Sequence, residues 1–347
     1  MLLNFSKFIC VIFRLRSAIY VFSFAIACAS CGKKTTHKKK SPAAIQSILP
    51  SNTGNLSELV LVISDELWVG SAGKLITDVL QENIKAIPQQ EALFDIYNIE
   101  AKDFSNIFKT HKNVLWVSNS EDEKFERIDQ MWSKDQLYVH LSNASEEALM
   151  NNLKEHIYTI RTWFVEKDQK RRLQKLQSNA DKEMERQLQK SYGLNMTIPT
   201  GYQIASSEKG FIWLREDNPK ANIISNIWIH SQAYLNPKQF NKKSLIELRD
   251  SIGKSHVKGS RPESFMATET LYSPDYRLIK ERPYTIETKG LWTMKNDFLG
   301  GPYVAYAILD EEKQKIIYVE GFIYCPGKRK RDHVFELEAI LSGLKLN

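Results

Sequence analysis

Cysteine is scarce in this sequence of 347 residues, and three of its four cysteines, Cys10, Cys28 and Cys31, lie near the N-terminus. Only Cys325 lies further along the chain. A disulfide-stabilised scaffold needs several cysteine pairs in the folded body, so that class of protein is excluded. Cys28 and Cys31 form a C-x-x-C, but they end a signal-like segment rather than a strand–helix unit, so we reject a redox site.

Sequence motifs for catalysis and metal binding are also missing. The seven histidines include no pair four positions apart, no H-E-x-x-H and no cysteine partner at zinc-ligand spacing, so we predict no metal and no cofactor. A G-x-S-x-G elbow does not occur either. The loop from Gly70 to Lys74 has two residues between its glycines, where a phosphate-binding Walker loop has four. We therefore assign no catalytic residue.

A large excess of one charge is also missing from the folded body. The formal net charge is +7, but Lys7, Arg14 and Arg16 belong to the N-terminal segment, and their removal leaves +4. Five more lysines fall between Lys33 and Lys40. The rest of the chain is close to neutral, and we expect no nucleic-acid partner.

Residues 1–30 have the order of a bacterial secretory signal. Basic residues precede an apolar stretch over residues 17–29, which ends in small side chains. A membrane-spanning helix needs about 20 apolar residues, so this shorter stretch is typical of a cleaved signal. The residues before Cys31 resemble a lipobox. We predict a lipoprotein signal peptide over residues 1–30 and acylation, such as palmitate, at Cys31, with Cys28 as the alternative site.

Residues 31–54 are basic and then contain serine and proline without an apolar period, which predicts a flexible tether. Its lysines are attracted to anionic lipid headgroups. We expect a protein held on a membrane of the cell envelope by its N-terminal lipid. Some lipoproteins carry an acidic export signal after the acylated cysteine. No acidic residue closely follows Cys31, so by comparison with those lipoproteins we expect attachment to the outer membrane, facing the periplasm. The sequence leaves the oligomeric state open.

The rest of the chain predicts the fold class α+β. Short β-branched runs at residues 58–64 and 113–117 are typical of strands buried on both faces, and helical patterns lie between them. This mixture predicts an N-terminal α/β domain over residues 55–165. Later strand-like runs in hairpin order predict a C-terminal α+β domain over residues 193–347, an antiparallel-sheet sandwich closed by a C-terminal helix.

Two charged segments are predicted to be solvated. A long helix joins the two domains, and its apolar positions thin out among Lys, Arg, Glu and Gln, so we predict a solvated connecting helix over residues 166–192. The basic run from Lys328 to Arg331 precedes the last predicted helix, where positive charge is unfavourable. We expect that run to be a solvated loop or a contact with an anionic surface.

Candidate ligand-binding residues fall in two loops. We select seven positions: Asp65, Trp68, Lys74, Trp292, Asp297, Gly300 and Gly301. The two glycines precede a proline, which permits close backbone approach to a ligand, and a tight connection between strands is the alternative. Asp65 and Glu66 are adjacent acids, but neighbouring side chains on an extended segment diverge, whereas the paired carboxylates of a glycosidase converge on the substrate.

Several short motifs occur together along the mature chain. They are, in chain order, D-E-L-W-x-G-x-x-G from Asp65, Pro88 and Gln89 with Glu91 and Phe94, G-L-W from Gly290, G-G-P from Gly300, and G-F-I-Y from Gly321 before Lys328 and Arg329. This set resembles the domain-of-unknown-function family DUF4837 of bacterial envelope lipoproteins, over essentially the whole mature chain. The resemblance implies an envelope location and a two-part body, without any activity or catalytic residue. The strand order of the second domain is also similar to PsbP- and Mog1-type α+β sandwiches.

These features favour a membrane-tethered envelope lipoprotein of non-catalytic function. We hypothesise that it binds a protein or glycan partner in the cleft between its two domains. The alternative is a hydrolase that acts on an envelope polymer such as a glycan or peptidoglycan. The acids to test first for that activity are Asp65, Glu66 and Asp297.

The acylation site gives a direct test. Replacement of Cys31 by serine should abolish acylation, because a lipobox signal is cleaved in front of the acylated cysteine. Mass spectrometry of protein made in its native host should show acyl groups on the wild-type chain and none on the Cys31→Ser variant. The Cys28→Ser variant is the matched control and should be acylated normally. The reverse pattern would contradict the assignment.

Overall fold

The computed structural model of the chain describes residues 49–280 and 282–346. The predicted signal peptide, both candidate acylation sites and most of the predicted tether lie outside these residues. The described part consists of two halves, each built on its own β-sheet. The exact domain boundaries remain predictions from the sequence.

The N-terminal half contains a five-stranded mixed sheet. Its strands are β1 (Glu58–Val62), β2 (Asp95–Ile99), β3 (Asn113–Asn119), β4 (Lys124–Asp129) and β5 (Leu137–Asn143). They lie in the order β2–β1–β3–β5–β4, with β4 antiparallel to β5 and the other pairs parallel. β1, β3 and β5 are largely apolar because both faces of the sheet are covered.

Three of the four helices of this half cover one face of the sheet, and aromatic side chains, including Phe108 of the remaining helix, cover the other face. The helices of this half are α1 (Asp65–Val69), α2 (Ser71–Leu80), α3 (Asn106–Lys109) and α4 (Glu146–Ser178), with a 3-10 turn at Ala101–Asp103. The first half of α4 packs on the sheet with apolar residues three and four positions apart, among them Leu149 and Leu153, which are fully buried. Phe104 and Trp132 belong to the cluster on the opposite face.

The C-terminal half contains an eight-stranded antiparallel sheet. The strands of this half are β6 (Leu194–Asn195), β7 (Gln203–Glu208), β8 (Phe211–Asn218), β9 (Ile223–Ala233), β10 (Phe265–Thr268), β11 (Asp275–Ile279), β12 (Thr285–Lys295), β13 (Gly300–Asp310), β14 (Lys315–Tyr324) and β15 (Lys345–Leu346). The sheet has the order β10–β12–β13–β14–β9–β8–β7, and β11 also pairs with β12. β6 and β15 form a separate two-stranded ribbon.

Helices pack on both faces of this second sheet. They are α5 (Lys182–Tyr192), α6 (Lys242–His256) and α7 (Arg331–Ser342), with a 3-10 turn at Pro237–Phe240. α6 covers an aromatic core that includes Trp228 and Tyr318. α5 and α7 cover the other face, where Leu188 and Leu337 are buried. The predicted α+β class, with an antiparallel second sheet and a closing C-terminal helix, is confirmed.

The stretch over residues 166–192 is not the single solvated helix that was predicted. α4 ends before Asp181, and α5 begins after it, with the Asp181 side chain accepting hydrogen bonds from N–H groups of its first turn. Three charged residues of α4, Asp168, Arg171 and Arg172, are at most 7% exposed. The prediction was wrong because it treated these charges as solvated, whereas they pair with groups distant in the sequence.

Asp168 and Arg171 fix α4 to the start of the first sheet. Arg171 Nη1 donates hydrogen bonds to Asp168 Oδ1 at 2.6 Å and to Asn113 Oδ1 at 2.7 Å. Asp168 Oδ2 accepts the N–H of Ser57 at 2.7 Å. Each buried charge therefore faces an opposite charge or a hydrogen-bond partner, which compensates its loss of hydration.

A carboxylate of the N-terminal half caps the last helix of the C-terminal half. Glu91 accepts the N–H of Lys330 at 2.8 and 2.9 Å and the N–H of Arg331 at 2.8 Å. Its side chain is only 4% exposed. The first N–H groups of a helix have no partner within the helix, and the helix dipole favours negative charge there. Glu91 supplies that charge to α7 from 239 positions earlier in the chain.

The last two residues of the basic run are buried next to this cap, contrary to the prediction, whereas Lys328 and Arg329 are exposed. Lys330 and Arg331 are 4% and 2% exposed. Arg329 and Arg331 donate hydrogen bonds to the Asp95 carboxylate at 3.0 and 2.8 Å. Burial raises the pKa of Asp95, but the hydrogen bonds from the two arginines outweigh burial and lower the pKa overall. The prediction was wrong because Glu91 and Asp95, from the other half, neutralise the cations at the helix start.

Two further contacts complete this interface, which we call the junction. Arg172 of α4 donates hydrogen bonds to Asp332 Oδ1 at 2.9 Å and to Ser57 Oγ at 2.8 Å. Phe335 of α7 belongs to the core of the N-terminal half, and the Arg172 guanidinium lies 5.2 Å from its ring centre. The junction comprises Glu91, Asp95, Arg172, Phe335 and residues 329–332.

Removal of the Glu91 charge tests the cap. In the Glu91→Gln variant an amide group replaces one acceptor oxygen, so buried N–H groups lose a charged acceptor. The free energy of unfolding of the full chain, measured by urea denaturation, should fall by about 2–4 kcal/mol. The matched control is Glu82→Gln, because Glu82 is 45% exposed and pairs with Arg161 at the surface, and its loss should stay below about 1 kcal/mol. Equal losses in the two variants would contradict the cap.

Candidate binding site

The N-terminal sheet changes its direction of growth between β1 and β3. The chain leaves β1 to form β2 on one side of it, and then crosses β1 to form β3 on the other side. Because these three strands are parallel, their carboxyl ends meet at one edge of the sheet, and the connections leave that edge in opposite directions. Open α/β sheets bind ligands in the crevice that this reversal creates.

A cleft of about 400 Å³ lies at this edge, and we call it the switch-point cleft. Val62, Leu67 and Val117 are buried side chains in its lining. The accessible part of the lining includes the apolar Ala101 and the following polar and aromatic side chains: Ser64, Glu100, Lys102, Trp116, Ser118 and Asn119. The volume falls within the range of about 300–1,000 Å³ that small-molecule sites occupy.

The rim of the cleft carries one acid and one base. Glu100 follows β2, and it forms an ion pair with Lys102 in the next turn. The hydrogen bond from Lys102 lowers the pKa of Glu100, and the same bond raises the pKa of Lys102. Both side chains are therefore charged at neutral pH, and together they give the rim no net charge.

Trp116 forms the aromatic part of the lining. Its ring packs edge-on against Phe104, with the ring centres 5.4 Å apart and the planes at 90°, and its centre lies 6.0 Å from that of His140. These contacts hold the indole in place, while part of it stays exposed. Ser118 and Asn119 follow on the same strand. An aromatic ring beside hydroxyl and amide groups suits a ligand that has both apolar surface and hydroxyl groups.

The predicted residues of the first loop lie close to the cleft in sequence but do not line it. Asp65 and Glu66 are exposed on α1. Trp68 packs against the core of the N-terminal half. Lys74 is exposed and forms an ion pair with Asp78 at 3.0 Å. Their sequence neighbours contribute to the lining instead.

The predicted tryptophan and glycines of the second loop have structural roles in the other half. Trp292 is 5% exposed, and its Nε1 donates a hydrogen bond to the Ile323 carbonyl at 3.1 Å. Gly300 and Gly301 begin β13, where a Cβ atom on Gly301 would lie 2.1 Å from the Ile323 carbonyl oxygen. The backbone at Gly301 therefore lies close to a neighbouring strand and not to a ligand-binding cleft. This arrangement agrees with the alternative interpretation of the two glycines, a tight connection between strands.

The acids of the hydrolase alternative do not converge. Asp65 and Glu66 lie on α1, whereas Asp297 lies in the turn between β12 and β13 and is 3.8 Å from Arg261 Nε. None of them lines the switch-point cleft, whose lining contains a single carboxylate, Glu100. The seven candidate residues thus fall into two separate groups rather than one site.

The junction lies between the two halves. Beside it lies a cavity of about 170 Å³, lined by residues of both halves that include Arg172, Glu216 and Glu336. This volume is below the usual range of ligand sites. The switch-point cleft therefore replaces the predicted cleft between domains as the candidate site.

Metal-binding clusters and membrane-crossing helices are absent from the described part of the chain. Over residues 49–280 and 282–346, histidine, cysteine, aspartate and glutamate side chains form no cluster of three or more that could hold a metal ion. Within the same ranges, no helix has both the length and the hydrophobicity required to cross a bilayer. Cys325 is buried and carries a free thiol.

The sequence prediction missed every residue that we assign to the lining. Ser118 and Asn119 follow a predicted buried strand, and Glu100 follows another predicted strand. Polar residues at strand ends are therefore the signal that was available. That signal could not be used, because the order of the strands decides which ends meet, and local patterns do not specify that order.

Comparisons with known proteins identify two families of unknown function. Residues 181–343 match the domain of unknown function DUF4837, and residues 52–177 match the domain of unknown function DUF8532. The resemblance to DUF4837 is thus confirmed, but for the C-terminal half rather than the whole mature chain. No curated protein matches the chain.

Two solved structures show distant similarity. A mutant of protein Mog1 is similar at 9% sequence identity with a TM-score of 0.28, over 44% of this chain and 90% of that chain. The human StAR-related lipid transfer protein 5 is similar at 10% identity with a TM-score of 0.21, over 50% of this chain and 98% of that chain. We draw no functional argument from either of them.

Replacement of Gly301 by alanine distinguishes a structural role from a ligand-binding role. The added methyl group would collide with the Ile323 carbonyl of the neighbouring strand. The free energy of unfolding should therefore fall by about 1–3 kcal/mol. Lys295→Ala, at an exposed position of the same hairpin, is the control and should change it by less than about 0.5 kcal/mol. A Gly301→Ala protein of wild-type stability would rule out the structural role.

Proposed function

We propose that this chain, which joins a DUF8532 domain over residues 52–177 to a DUF4837 domain over residues 181–343, is a non-catalytic ligand-binding lipoprotein of the bacterial cell envelope. The observation that carries the binding role is the switch-point cleft in the first of these domains. The signal-like N-terminus supports attachment through an acylated cysteine. The lipid would hold both halves at the outer membrane, facing the periplasm.

The lining of the cleft favours a saccharide without net charge. The Trp116 ring can contact the C–H groups of a sugar ring, and Ser64, Ser118 and Asn119 can exchange hydrogen bonds with its hydroxyl groups. The charges of Glu100 and Lys102 are already paired with each other. A neutral glycan unit would therefore meet matching polar groups without an unpaired charge in the cleft.

Binding is favoured over hydrolysis by the number and state of the carboxylates. Glycosidases use two carboxyl groups that flank the scissile bond, about 5–10 Å apart, and the general acid has a raised pKa. Among the lining residues Glu100 is the single acid, and the hydrogen bond from Lys102 lowers its pKa. This arrangement lacks the second acid and holds the first in its charged form.

Calorimetric titration of the full chain with chitobiose, a neutral disaccharide of N-acetylglucosamine, tests this proposal. The Trp116→Ala variant should bind about tenfold more weakly than the wild type, a loss of about 1.4 kcal/mol. The matched control is Trp163→Ala, a partly buried tryptophan of α4 that lies outside the cleft lining and stacks on Phe125 with centres 5.5 Å apart. This control should retain wild-type affinity.

A second variant keeps the test valid if Trp116→Ala fails to fold. Asn119 is exposed, so Asn119→Ala should leave the stability intact and still weaken chitobiose binding. No binding by the wild type, or equal affinity in all variants, would contradict the saccharide cleft. Cleavage of chitobiose during the titration would favour the hydrolase alternative.

A further inference from the structure

We propose that a basic groove along α5, in the C-terminal half, binds an anionic glycan. This site is distinct from the switch-point cleft, and the proposal does not depend on the function assigned to that cleft. Two open cavities of about 880 and 740 Å³ lie along α5, and both include Gln189 in their lining. Together they form the surface that we call the α5 groove.

The lining of the α5 groove has a clear excess of positive charge. Seven basic side chains line it: Lys182, Arg186, Lys190, Lys209, Lys313, Lys315 and Lys345. The lining contains two acids, and each is already paired, Glu185 with Lys182 at 2.8 Å and Asp310 with Lys313 at 3.3 Å. Arg186 is also paired, with Glu183 outside the lining at 2.6 Å. The remaining lysines give the groove a positive potential that attracts anions.

The basic residues of α5 form a ridge because of their spacing. Lys182, Arg186 and Lys190 are each four positions apart, so they lie one above the other on the same side of the helix. Met184 and Leu188 lie on the opposite side and are buried against the second sheet. Burial of the apolar side thus fixes the direction in which the basic side faces.

Two lysines from the sheet complete the positive surface at one end of the groove. Lys209 lies in the turn between β7 and β8, and Lys315 begins β14. Within residues 49–280 and 282–346, neither Lys209 nor Lys315 has an ion-pair partner, and the same holds for Lys190. These three ammonium groups are therefore available to a bound anion.

The other side chains of the groove favour a glycan over a nucleic acid. Hydroxyl and amide groups of Ser191, Ser231 and Gln232 lie among the lysines and can bind sugar hydroxyl groups. Proteins that bind single-stranded nucleic acids combine positive grooves with exposed aromatic rings on which bases stack. In the lining of this groove Tyr192 is the one aromatic residue, and it is partly buried.

Binding of labelled oligogalacturonate, a carboxylated glycan, to the full chain tests the proposal by fluorescence anisotropy. The wild type should bind it, and the affinity should fall as salt is raised, because exposed charges are screened. Polyphosphate serves as competitor, since its displacement of the probe shows whether phosphate groups are accepted as well. A neutral dextran of similar length should not compete.

Two triple variants separate a local site from overall charge. The groove variant combines Lys190→Glu, Lys209→Glu and Lys315→Glu. It should bind oligogalacturonate about a hundredfold more weakly than the wild type, since each lysine contributes about fivefold or more to the affinity near an anionic surface. The control combines Lys85→Glu, Lys220→Glu and Lys243→Glu, which change the net charge equally at exposed positions outside the groove. The control should lose less than a few-fold.

Selective loss of oligogalacturonate binding in the groove variant would support the proposal. Tighter binding of polyphosphate than of oligogalacturonate would count against a glycan ligand, because polyphosphate carries no sugar hydroxyl groups for Ser191, Ser231 and Gln232 to bind. Equal loss in both triple variants, competition by dextran, or tighter binding of single-stranded DNA would overturn it. Chitobiose titration of the groove variant should be unchanged, so failure at the α5 groove is distinguishable from failure at the switch-point cleft.

Discussion

The position of α7 depends on a carboxylate that belongs to the other half of the chain. Glu91 accepts the N–H groups at the start of the helix, and Asp95 binds the two arginines beside it. Without these acids, Arg329, Lys330 and Arg331 would crowd the positive end of a helix dipole, with two of them buried. The same helix places Phe335 in the N-terminal core, so the cap and the apolar contact stabilise each other.

This arrangement unites two sheets that would otherwise form independent cores. α7 closes the C-terminal sheet with its apolar residues, while α4 of the N-terminal half contacts it through Arg172. α4 is itself held by the buried pair of Asp168 and Arg171. The carboxylates of Glu91 and Asp95 meet their partners at residues 329–331 only when both halves are folded and in contact, which predicts strong coupling between the halves. Both proposed binding surfaces therefore belong to one body with fixed geometry.

The sequence predicted those parts of the fold that depend on local patterns. The β-branched runs that became β1 and β3, and the apolar spacing along the first half of α4, were read correctly, because burial follows hydrophobic periodicity. The junction was not predicted, since Glu91 and Arg331 are charged residues whose partners lie far away in the chain. The switch-point cleft was missed for a related reason. Glu100 and Ser118 meet only through the strand order, which single-sequence patterns leave open.

Calorimetric unfolding of the full chain tests the coupling of the two halves most directly. If the junction joins them into one cooperative unit, a single heat-capacity peak should appear, and its calorimetric enthalpy should equal the van't Hoff enthalpy. Two resolved peaks, each with the enthalpy of one half, would show that Glu91 and its neighbours join domains that unfold independently. That result would contradict the central role of the junction in holding the two halves together.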